Sequence, residues 1–185
     1  MLSEERNRIV NDDKEFAKVT DFSVFGEFDC ADDDLNDFIW NDAAEHKAEL
    51  IAETYLFKFV DIEFLPIAFV SLLNDSIKLT TNKERRIVPN RIRNYPEYPA
   101  VKIGRLGVHR EFQGSGVGTA VLDMIKALFT TNNRTGCRFL TVEAYDLERV
   151  LTFYKKNEFL PFPGHEESNG EETRLMFFDL ARHVA

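Results

Sequence analysis

The spacing of hydrophobic positions along the chain predicts an alternation of β-strands and α-helices. Seven runs are rich in β-branched and aromatic residues, which is the composition of strands. In chain order these runs are FAKVTDFSVF, TYLFKFVD, LPIAFVSLL, AVKIGRLGV, CRFLTVEAY, EFLPFP and TRLMFFDL. Only a short polar region separates the second run from the third, which predicts a hairpin.

Three segments instead repeat their apolar residues at the spacing of an amphipathic helix. The first contains Leu35, Phe38, Ile39, Ala43, His46 and Leu50, after aspartates at Asp32, Asp33 and Asp34 that can cap a helix. The other two contain Val117, Val121, Met124, Ile125 and Leu128, and then Leu147, Val150, Leu151 and Tyr154. Residues 77–99, which include three prolines, are predicted to be an irregular insertion. Because helices alternate with strands in the second half, the pattern predicts an α/β domain of three layers.

Length and cysteine content narrow the class of protein. A chain of 185 residues is expected to form one domain, residues 1–185. It has no apolar run near the roughly 20 residues that span a bilayer. The charged start, MLSEERNRIVNDDKEF, lacks the apolar core of a signal peptide, so a cytoplasmic location is expected. Cys30 and Cys137 lack metal-ligand spacing and are interpreted as idle, reduced thiols, and no metal site is predicted.

The net charge disfavours a general affinity for nucleic acids. The chain has 32 acidic residues against 23 lysines and arginines, a net charge of −9, which repels phosphates. The basic exception is KERRIVPNRIR, residues 83–93, with one lysine and four arginines against one glutamate. Its simplest interpretation is a solvated connection, and contact with a polyanion is the alternative.

Candidate chemistry is concentrated in residues 104–126, where a strand pattern is followed by QGSGVG and a helix pattern. A helix N-terminus presents N–H groups and a positive dipole end, so this order predicts an anion site. Gly114, Gly116 and Gly118 let a phosphate approach the main chain. The spacing excludes a mononucleotide P-loop, which needs Lys-Ser or Lys-Thr, and the dinucleotide G-x-G-x-x-G, because the third glycine comes one residue early.

The spacing Q-x-x-G-x-G resembles the GCN5-related N-acetyltransferase (GNAT) superfamily, and FYKKNEF, Phe153 to Phe159, resembles its F-Y-x-x-x-G-F motif. The resemblance is strongest over residues 100–162. It implies an acyl-CoA N-acyltransferase fold with a mixed, mostly antiparallel sheet of six to seven strands between helices. It also implies acetyl-CoA as the donor, with its pyrophosphate at the glycine loop and its pantetheine arm along the preceding strand. The residues so implicated are Leu106, Gly107, Val108, Gln113, Gly114, Ser115, Gly116, Val117, Gly118 and Thr119.

Two positions depart from the superfamily pattern. Glu158 replaces the glycine before the final phenylalanine, and Asn157 is predicted to supply the left-handed helix cap instead. Leu147 occupies the place of an asparagine that many members carry, which removes one expected contact to the cofactor.

Acetyl transfer to an amine requires an oxyanion donor, a proton for the leaving thiolate and an acceptor for the proton of the amine. The resemblance places the oxyanion donor near Val108 and the acid at Tyr154, whose phenol is protonated at neutral pH. A core role for Tyr154 is the alternative. Glu143 and His109 are the candidate bases, and the pattern does not decide which face of its strand Glu143 occupies.

A closer resemblance concerns the acceptor. FDCADDDLNDFIWNDA and IGRLGVHREFQGSGVG are similar to a GNAT branch that includes toxins acetylating aminoacyl-tRNA, with the pattern F-x-C-G-x-x-x-L-x-x-F. Three functions stay open: acetylation of a primary amine on a small molecule, peptide or protein, acetylation of aminoacyl-tRNA, and non-catalytic acyl-CoA binding. The net charge favours the first, because docking tRNA needs a basic surface. The second implies a small DNA-binding antitoxin as partner, and the resemblance is compatible with a homodimer.

Overall fold

A seven-stranded mixed sheet forms the centre of the computed structural model, which describes residues 14–59, 66–131, 135–168 and 170–183. The strands are β1 Lys14–Lys18, β2 Glu53–Phe59, β3 Ala68–Lys78, β4 Glu97–Val108, β5 Phe139–Tyr145, β6 Leu160–Pro161 and β7 Thr173–Asp179. Their order in the sheet is β1-β2-β3-β4-β5-β7-β6. β4 and β5 run parallel, whereas β1–β2, β2–β3, β5–β7 and β6–β7 are antiparallel. The predicted mixed, mostly antiparallel sheet is confirmed.

The helices are α1 Asp33–Asp37, α2 Ala43–Ala48, α3 Val117–Leu128 and α4 Glu148–Lys156. None of the helices in the described part of the chain has the length and apolar character needed to cross a bilayer. Asp32 caps α1, as predicted, by accepting a hydrogen bond from the Leu35 N–H at 3.1 Å.

A π-helical turn, Phe38–Asp42, joins α1 to α2 and changes the face that the later residues occupy. Such a turn adds one residue to the repeat, so a stripe drawn at regular helical spacing goes out of phase after it. The helix then ends at Ala48, and Leu50 has a φ of 57° and is 92% exposed. The prediction that Leu50 lies on the apolar face is therefore wrong.

The first predicted strand is also shorter than its sequence pattern. β1 ends at Lys18, and Phe22–Phe25 form a 3-10 turn rather than a strand. The cause is Asp21, whose carboxylate accepts a hydrogen bond from the Ser23 N–H at 2.9 Å and turns the chain.

Main-chain packing divides the chain into two compact units. The first consists of Met1–Leu73 and Gly104–Ile125, and the second of Asn74–Ile103 and Lys126–Ala185. Phe69 is the centre of an aromatic core in the first unit, where its ring lies edge-on to Phe25 at 6.0 Å and Phe28 at 5.4 Å. The second unit has its own apolar cluster: Ile77, Leu79, Val88, Tyr98, Ala100, Phe139, Phe162 and Phe177.

The C-terminus of α4 has a left-handed residue, and that residue is Glu158, with a φ of 67°. The Phe159 N–H donates to the Tyr154 carbonyl and the Glu158 N–H to the Lys155 carbonyl, each at 3.0 Å. These two bonds are a Schellman motif, which requires the left-handed residue at position 158. The Phe159 ring completes the motif by packing 5.3 Å from the ring of Tyr154. Asn157 has a φ of −97°, so the prediction that it supplies the left-handed cap is wrong.

Replacing Glu158 by glycine is expected to stabilise the protein. A side chain in the left-handed region costs about 1–2 kcal/mol, and glycine removes this cost. Part of the gain is lost, because glycine also raises the conformational entropy of the unfolded chain. A net rise of about 0.5–1 kcal/mol in the free energy of unfolding should appear in urea titrations. Glu158→Ala is the matched control, because it removes the charge but keeps the Cβ atom. An equal gain in both variants would show that charge, not backbone strain, is responsible.

Gly107 lies against the aromatic core of the first unit, and we expect Gly107→Ala to destabilise the protein. A Cβ atom there would lie 2.5 Å from Cε1 of Phe69, whose side chain is 1% exposed and cannot move aside. Overpacking of this kind costs about 1–3 kcal/mol, measurable by denaturant unfolding. Gly136→Ala is the control, because its Cβ atom would meet nothing within 4 Å. If both substitutions are neutral, the close approach is not a constraint.

Candidate functional site

The glycine loop of the first unit has a left-handed backbone at two of its glycines. Gly114 and Gly116 have φ angles of 74° and 89°, which L side chains rarely adopt. Added Cβ atoms would meet nothing within 4 Å, so the backbone conformation, not space, requires glycine here. α3 starts at Val117, and the Ala120 N–H donates to the Gly116 carbonyl at 3.0 Å. The main-chain N–H groups just before Ala120 are therefore those that an anion at the helix N-terminus would meet.

Gln113 has its side chain engaged within the protein. Its Nε2 donates to the Cys30 carbonyl at 2.7 Å and to the Val108 carbonyl at 3.1 Å. These bonds join the start of the glycine loop to the end of β4 and to the segment before α1. The Gln113 N–H also donates, to the Arg110 carbonyl at 3.4 Å. The contribution of Gln113 to the loop is therefore to position it.

The segment that Gln113 contacts is itself held by Asp29. The Asp29 carboxylate accepts from the Ala31 N–H at 2.7 Å and from Nδ2 of Asn36 at 3.1 Å, and pairs with Arg110 at 2.9 Å. The hydrogen bond from Ala31, followed by that from Asn36, lowers the pKa of Asp29. Burial raises the pKa of the Cys30 thiol to about 11, so this free cysteine is a structural thiol.

The other residues predicted to bind the cofactor all lie in the first unit. Leu106, Gly107 and Val108 end β4, and Val117 has a side chain that is 1% exposed, so it offers only its main chain. Ser115 Oγ donates to the Phe112 carbonyl. Three more residues, Gly114, Gly118 and Thr119, are exposed or half-buried.

His109, one of the two candidate bases, has structural contacts. It is 8% exposed, and its ring lies 5.8 Å from that of Phe28 and 5.9 Å from that of Phe112. Its Nδ1 accepts the Glu111 N–H at 3.3 Å, which caps a short 3-10 turn. These contacts favour a core role for His109.

Glu143, the other candidate base, lies at a polar cavity in the second unit. Its carboxylate pairs with Lys102 Nζ at 3.0 Å, and Thr141 Oγ1 donates to Asp75 at 2.6 Å. The cavity has a volume of about 190 Å³ and an apolar side formed by Ile77, Phe162 and Leu175. The remaining lining residues are Asp75, Ser76, Lys78, Lys102, Thr141 and Glu143.

β5 has a free edge next to this cavity. The parallel ladder between β4 and β5 has four pairs, from Ala100↔Phe139 to Ile103↔Val142. β5 continues past this ladder, and at Glu143 and Ala144 its described strand partner is β7 alone. The main chain at Glu143 and Ala144 therefore has a side that is open for other hydrogen bonds.

Tyr154 lies on the opposite face of the sheet from Glu143. Its ring packs on Phe159, which lies 5.7 Å from Phe178, and Phe178 pairs in register with Leu140. Leu140 and Glu143 are three residues apart on one strand and so point to opposite faces. Tyr154 is 6% exposed, and burial raises its pKa well above the ordinary value. The structure thus groups Glu143 with Lys102 and Asp75, not with Tyr154.

Three polar residues of the cavity, Asp75, Lys102 and Thr141, were not singled out from the sequence. Lys102 did have a signal, because it is a charged residue inside the apolar run AVKIGRLGV. Asp75 had none, because it lies between the predicted strand LPIAFVSLL and the predicted insertion at residues 77–99. In fact β3 continues to Lys78.

Several solved structures are similar in fold to this chain. A structure of AtaT complexed with acetyl-methionyl-tRNAfMet has a TM-score of 0.71 and 22% identity, covering 92% of this chain and 97% of that chain. A tyrosine-to-phenylalanine mutant of the toxin AtaT, bound to the C-terminus of the antitoxin AtaR and acetyl-CoA, has a TM-score of 0.70 and 23% identity, with coverages of 92% and 96%. A tyrosine-to-phenylalanine mutant of KacT has a TM-score of 0.72 and 19% identity, with coverages of 91% and 96%. At these identities the likeness is one of fold.

A search of curated protein sequences found no match. The model of the acetyltransferase (GNAT) family matches residues 30–159, a span that includes the glycine loop, the cavity residue Glu143 and α4. This span is more than half of the chain and contains both motifs on which the resemblance depends. The chain therefore belongs to the GNAT family of acetyltransferases.

Proposed function

We propose that this protein transfers the acetyl group of acetyl-CoA to the α-amine of an aminoacyl-tRNA. The observation that carries the proposal is the cavity beside Glu143. Its volume of about 190 Å³ is below the roughly 300–1,000 Å³ of pockets for drug-sized ligands, and suits an amino-acid-sized group. Its apolar side suits an aliphatic side chain, and its carboxylates suit an amine. The fold likeness to AtaT complexed with acetyl-methionyl-tRNAfMet supports the same acceptor class.

The donor site would be built on the glycine loop. Gly114 and Gly116 give the main chain the shape that a pyrophosphate needs, and the N-terminus of α3 adds N–H donors and a positive dipole end. β4 from Leu106 to Val108 would bind the pantetheine arm through its main chain. Acetyl-CoA supplies the activated thioester when it is bound. That AtaT has been solved with acetyl-CoA supports this assignment.

The catalytic groups would act from the two faces of the sheet. Glu143 accepts a proton from the ammonium group, directly or through a water molecule, so that the neutral amine can form the new C–N bond. A main-chain N–H near Val108 donates to the oxyanion. As the C–S bond breaks, Tyr154 donates its proton to the departing sulfur, and the second proton lost by the new amide nitrogen returns to the Tyr154 oxygen through water.

A second acceptor class is favoured by the overall charge. A net charge of −9 attracts small cationic amines such as polyamines, and these also suit the carboxylates of the cavity. Non-catalytic acyl-CoA binding is the third candidate. If the protein also acts as a toxin, we expect its expression to arrest growth. A small antitoxin partner should then relieve the arrest.

A transfer assay with radiolabelled acetyl-CoA distinguishes these functions. Aminoacyl-tRNA, free amino acids, polyamines and peptides are compared as acceptors at one concentration of protein. We expect acetylated aminoacyl-tRNA to be the principal product. Label in polyamines or peptides alone would overturn the proposed acceptor, and stabilisation by acetyl-CoA without any transfer would overturn catalysis.

Glu143→Gln is expected to lower kcat/KM by about 10²–10⁴-fold at pH 7, because a positioned base contributes this much. The loss should shrink as the pH rises past about 8, where an α-amine loses its proton without help. Glu15→Gln is the matched control, because Glu15 is also a strand carboxylate paired with a lysine, Lys58 at 3.1 Å, and neither residue lines the cavity. A pH-independent loss, or an equal loss in the control, would remove Glu143 from the role of base.

Tyr154→Phe is expected to lower kcat by about 10²-fold or more with little change in the Kd of acetyl-CoA. Burial raises the pKa of Tyr154, so the phenol keeps its proton above the ordinary value near 10. The kcat of the unaltered enzyme should therefore show no decline from phenol ionisation between pH 8 and 10. Tyr98→Phe, which alters another buried tyrosine, is the control. An unchanged kcat in Tyr154→Phe would contradict the acid role.

A further inference from the structure

Residues 79–96 of the second unit contain a group of four arginines, Arg85, Arg86, Arg91 and Arg93, which we call the arginine patch. Two consecutive 3-10 turns, Glu84–Ile87 and Asn90–Ile92, bring them into a short stretch. Three of the four side chains are exposed, and that of Arg93 is half-buried. With Lys83 and the single carboxylate of Glu84, the segment has a net charge of +4 in a chain whose net charge is −9.

The arginine patch has positive charge that is not neutralised by ion pairs. Ten other described lysines and arginines do form ion pairs; these are Lys18, Lys47, Lys58, Lys78, Lys83, Lys102, Arg105, Arg110, Arg138 and Arg174. Within the described residues, no carboxylate lies at ion-pair distance from the four arginines of the patch. Their positive charge is therefore available to a ligand.

The nearest carboxylate in sequence, Glu84, is engaged in hydrogen bonds. Its Oε2 accepts from the Thr81 N–H and from Thr80 Oγ1, each at 2.9 Å. The hydrogen bond from the Thr81 main chain is the main cause of its lowered pKa. Glu84 therefore stabilises the start of the turn and does not neutralise the arginine patch.

The arginine patch sits on a packed support. Val88 is 2% exposed, and Ile87 and Ile92 pack on the apolar cluster of the second unit. Arg85 Nε donates to the Leu79 carbonyl at 3.2 Å, and Arg93 Nε to the Val88 carbonyl at 3.1 Å. Each bond uses one of the five N–H donors of a guanidinium and holds its orientation. A held guanidinium loses less entropy when it binds a phosphate.

An aromatic side chain lies next to the arginine patch in sequence. Tyr95 is 62% exposed, with its ring 6.3 Å from the buried ring of Tyr98. Exposed aromatic rings beside arginines are typical of surfaces on which unpaired bases stack. An acidic protein partner would pair with the arginines but would not require an exposed aromatic ring. Tyr95 therefore favours RNA as the ligand of the arginine patch.

The arginine patch and the cavity are built on the same face of the sheet. Val88 packs in one cluster with Ala100 and Phe139, which are paired in register. Lys102 and Thr141, at the cavity, are also paired and lie two residues further along the same strands. Side chains two residues apart on a strand point to the same face of the sheet and are separated by about 7 Å. An amine in the cavity and a polyanion on the insertion can therefore belong to one molecule.

We propose that the arginine patch binds the phosphate backbone next to the aminoacylated 3′ end of the acceptor RNA, while the aminoacyl group enters the cavity. This inference rests on the proposed function for the identity of the acceptor. The charge separation within the chain fits this use, because an acidic surface elsewhere repels RNA from wrong orientations.

The test uses Arg86→Glu/Arg91→Glu, because these two arginines are exposed and have no described hydrogen bond through their side chains. Arg149→Glu/Arg182→Glu is the control, because it makes the same change of charge at exposed sites outside the insertion. Acetylation is measured on aminoacyl-tRNA and on an amino-acid methyl ester. Binding of fluorescent aminoacyl-tRNA is measured by anisotropy over a series of salt concentrations. Thermal unfolding checks that each variant is folded, and Arg86→Gln/Arg91→Gln is a milder second variant.

We expect the patch variant to raise KM for aminoacyl-tRNA at least tenfold, with kcat and the rate on the methyl ester unchanged. The slope of log affinity against log salt should fall in magnitude by about 2, one for each lost phosphate contact. An unchanged KM and Kd, or equal losses in the control, would overturn the proposal. Competition by polyglutamate at lower concentrations than RNA would overturn it in favour of an acidic protein.

Failure of the proposed function gives a different result. If aminoacyl-tRNA is not acetylated by the unaltered protein, the acceptor assignment fails, and anisotropy alone decides the role of the arginine patch. RNA affinity that falls in the patch variant but not in the control supports RNA binding by this surface. RNA affinity that is the same in both variants overturns it.

Discussion

The parallel ladder between β4 and β5 is the constraint on which the second unit depends. It has only four pairs, yet it puts Lys102 beside Thr141 on one face and Ile103 beside Val142 on the other. One end of the ladder supports the apolar contacts of the insertion, through Ala100 and Phe139. The other end leaves an open edge on β5. Parallel pairing in the middle of an otherwise antiparallel sheet thus creates both the polar cavity and the edge beside it.

Features that depend on local chemistry could be predicted from the sequence. The glycine loop is an example, because positive φ angles at Gly114 and Gly116 and the start of α3 at Val117 follow from residue type and spacing. The Asp32 cap is another, because capping involves a side chain and an N–H three residues away. The sequence of strands along the chain also followed, since each strand has its own run of β-forming residues, whereas their order in the sheet was not predicted.

Features that depend on distant contacts could not be predicted. The face of Glu143 is fixed by the register with Leu175, more than thirty residues away, and by the pairing of β4 with β5. The π-helical turn after α1 has no signal in the hydrophobic pattern, and it displaced the expected stripe. Glu158 shows the same limit. Its residue type disfavours a left-handed backbone, but the packing of Phe159 on Tyr154 requires it.

The packing of Tyr154 also affects how its evolution should be interpreted. Its ring contacts Phe159 and its carbonyl accepts the hydrogen bond that closes α4, so this residue is part of the helix terminus whatever its hydroxyl does. Selection for folding alone would retain an aromatic ring at this position. A descendant that had lost catalysis would therefore still keep tyrosine or phenylalanine here. Retention of the ring then reports on the architecture of α4, and only retention of the hydroxyl reports on chemistry.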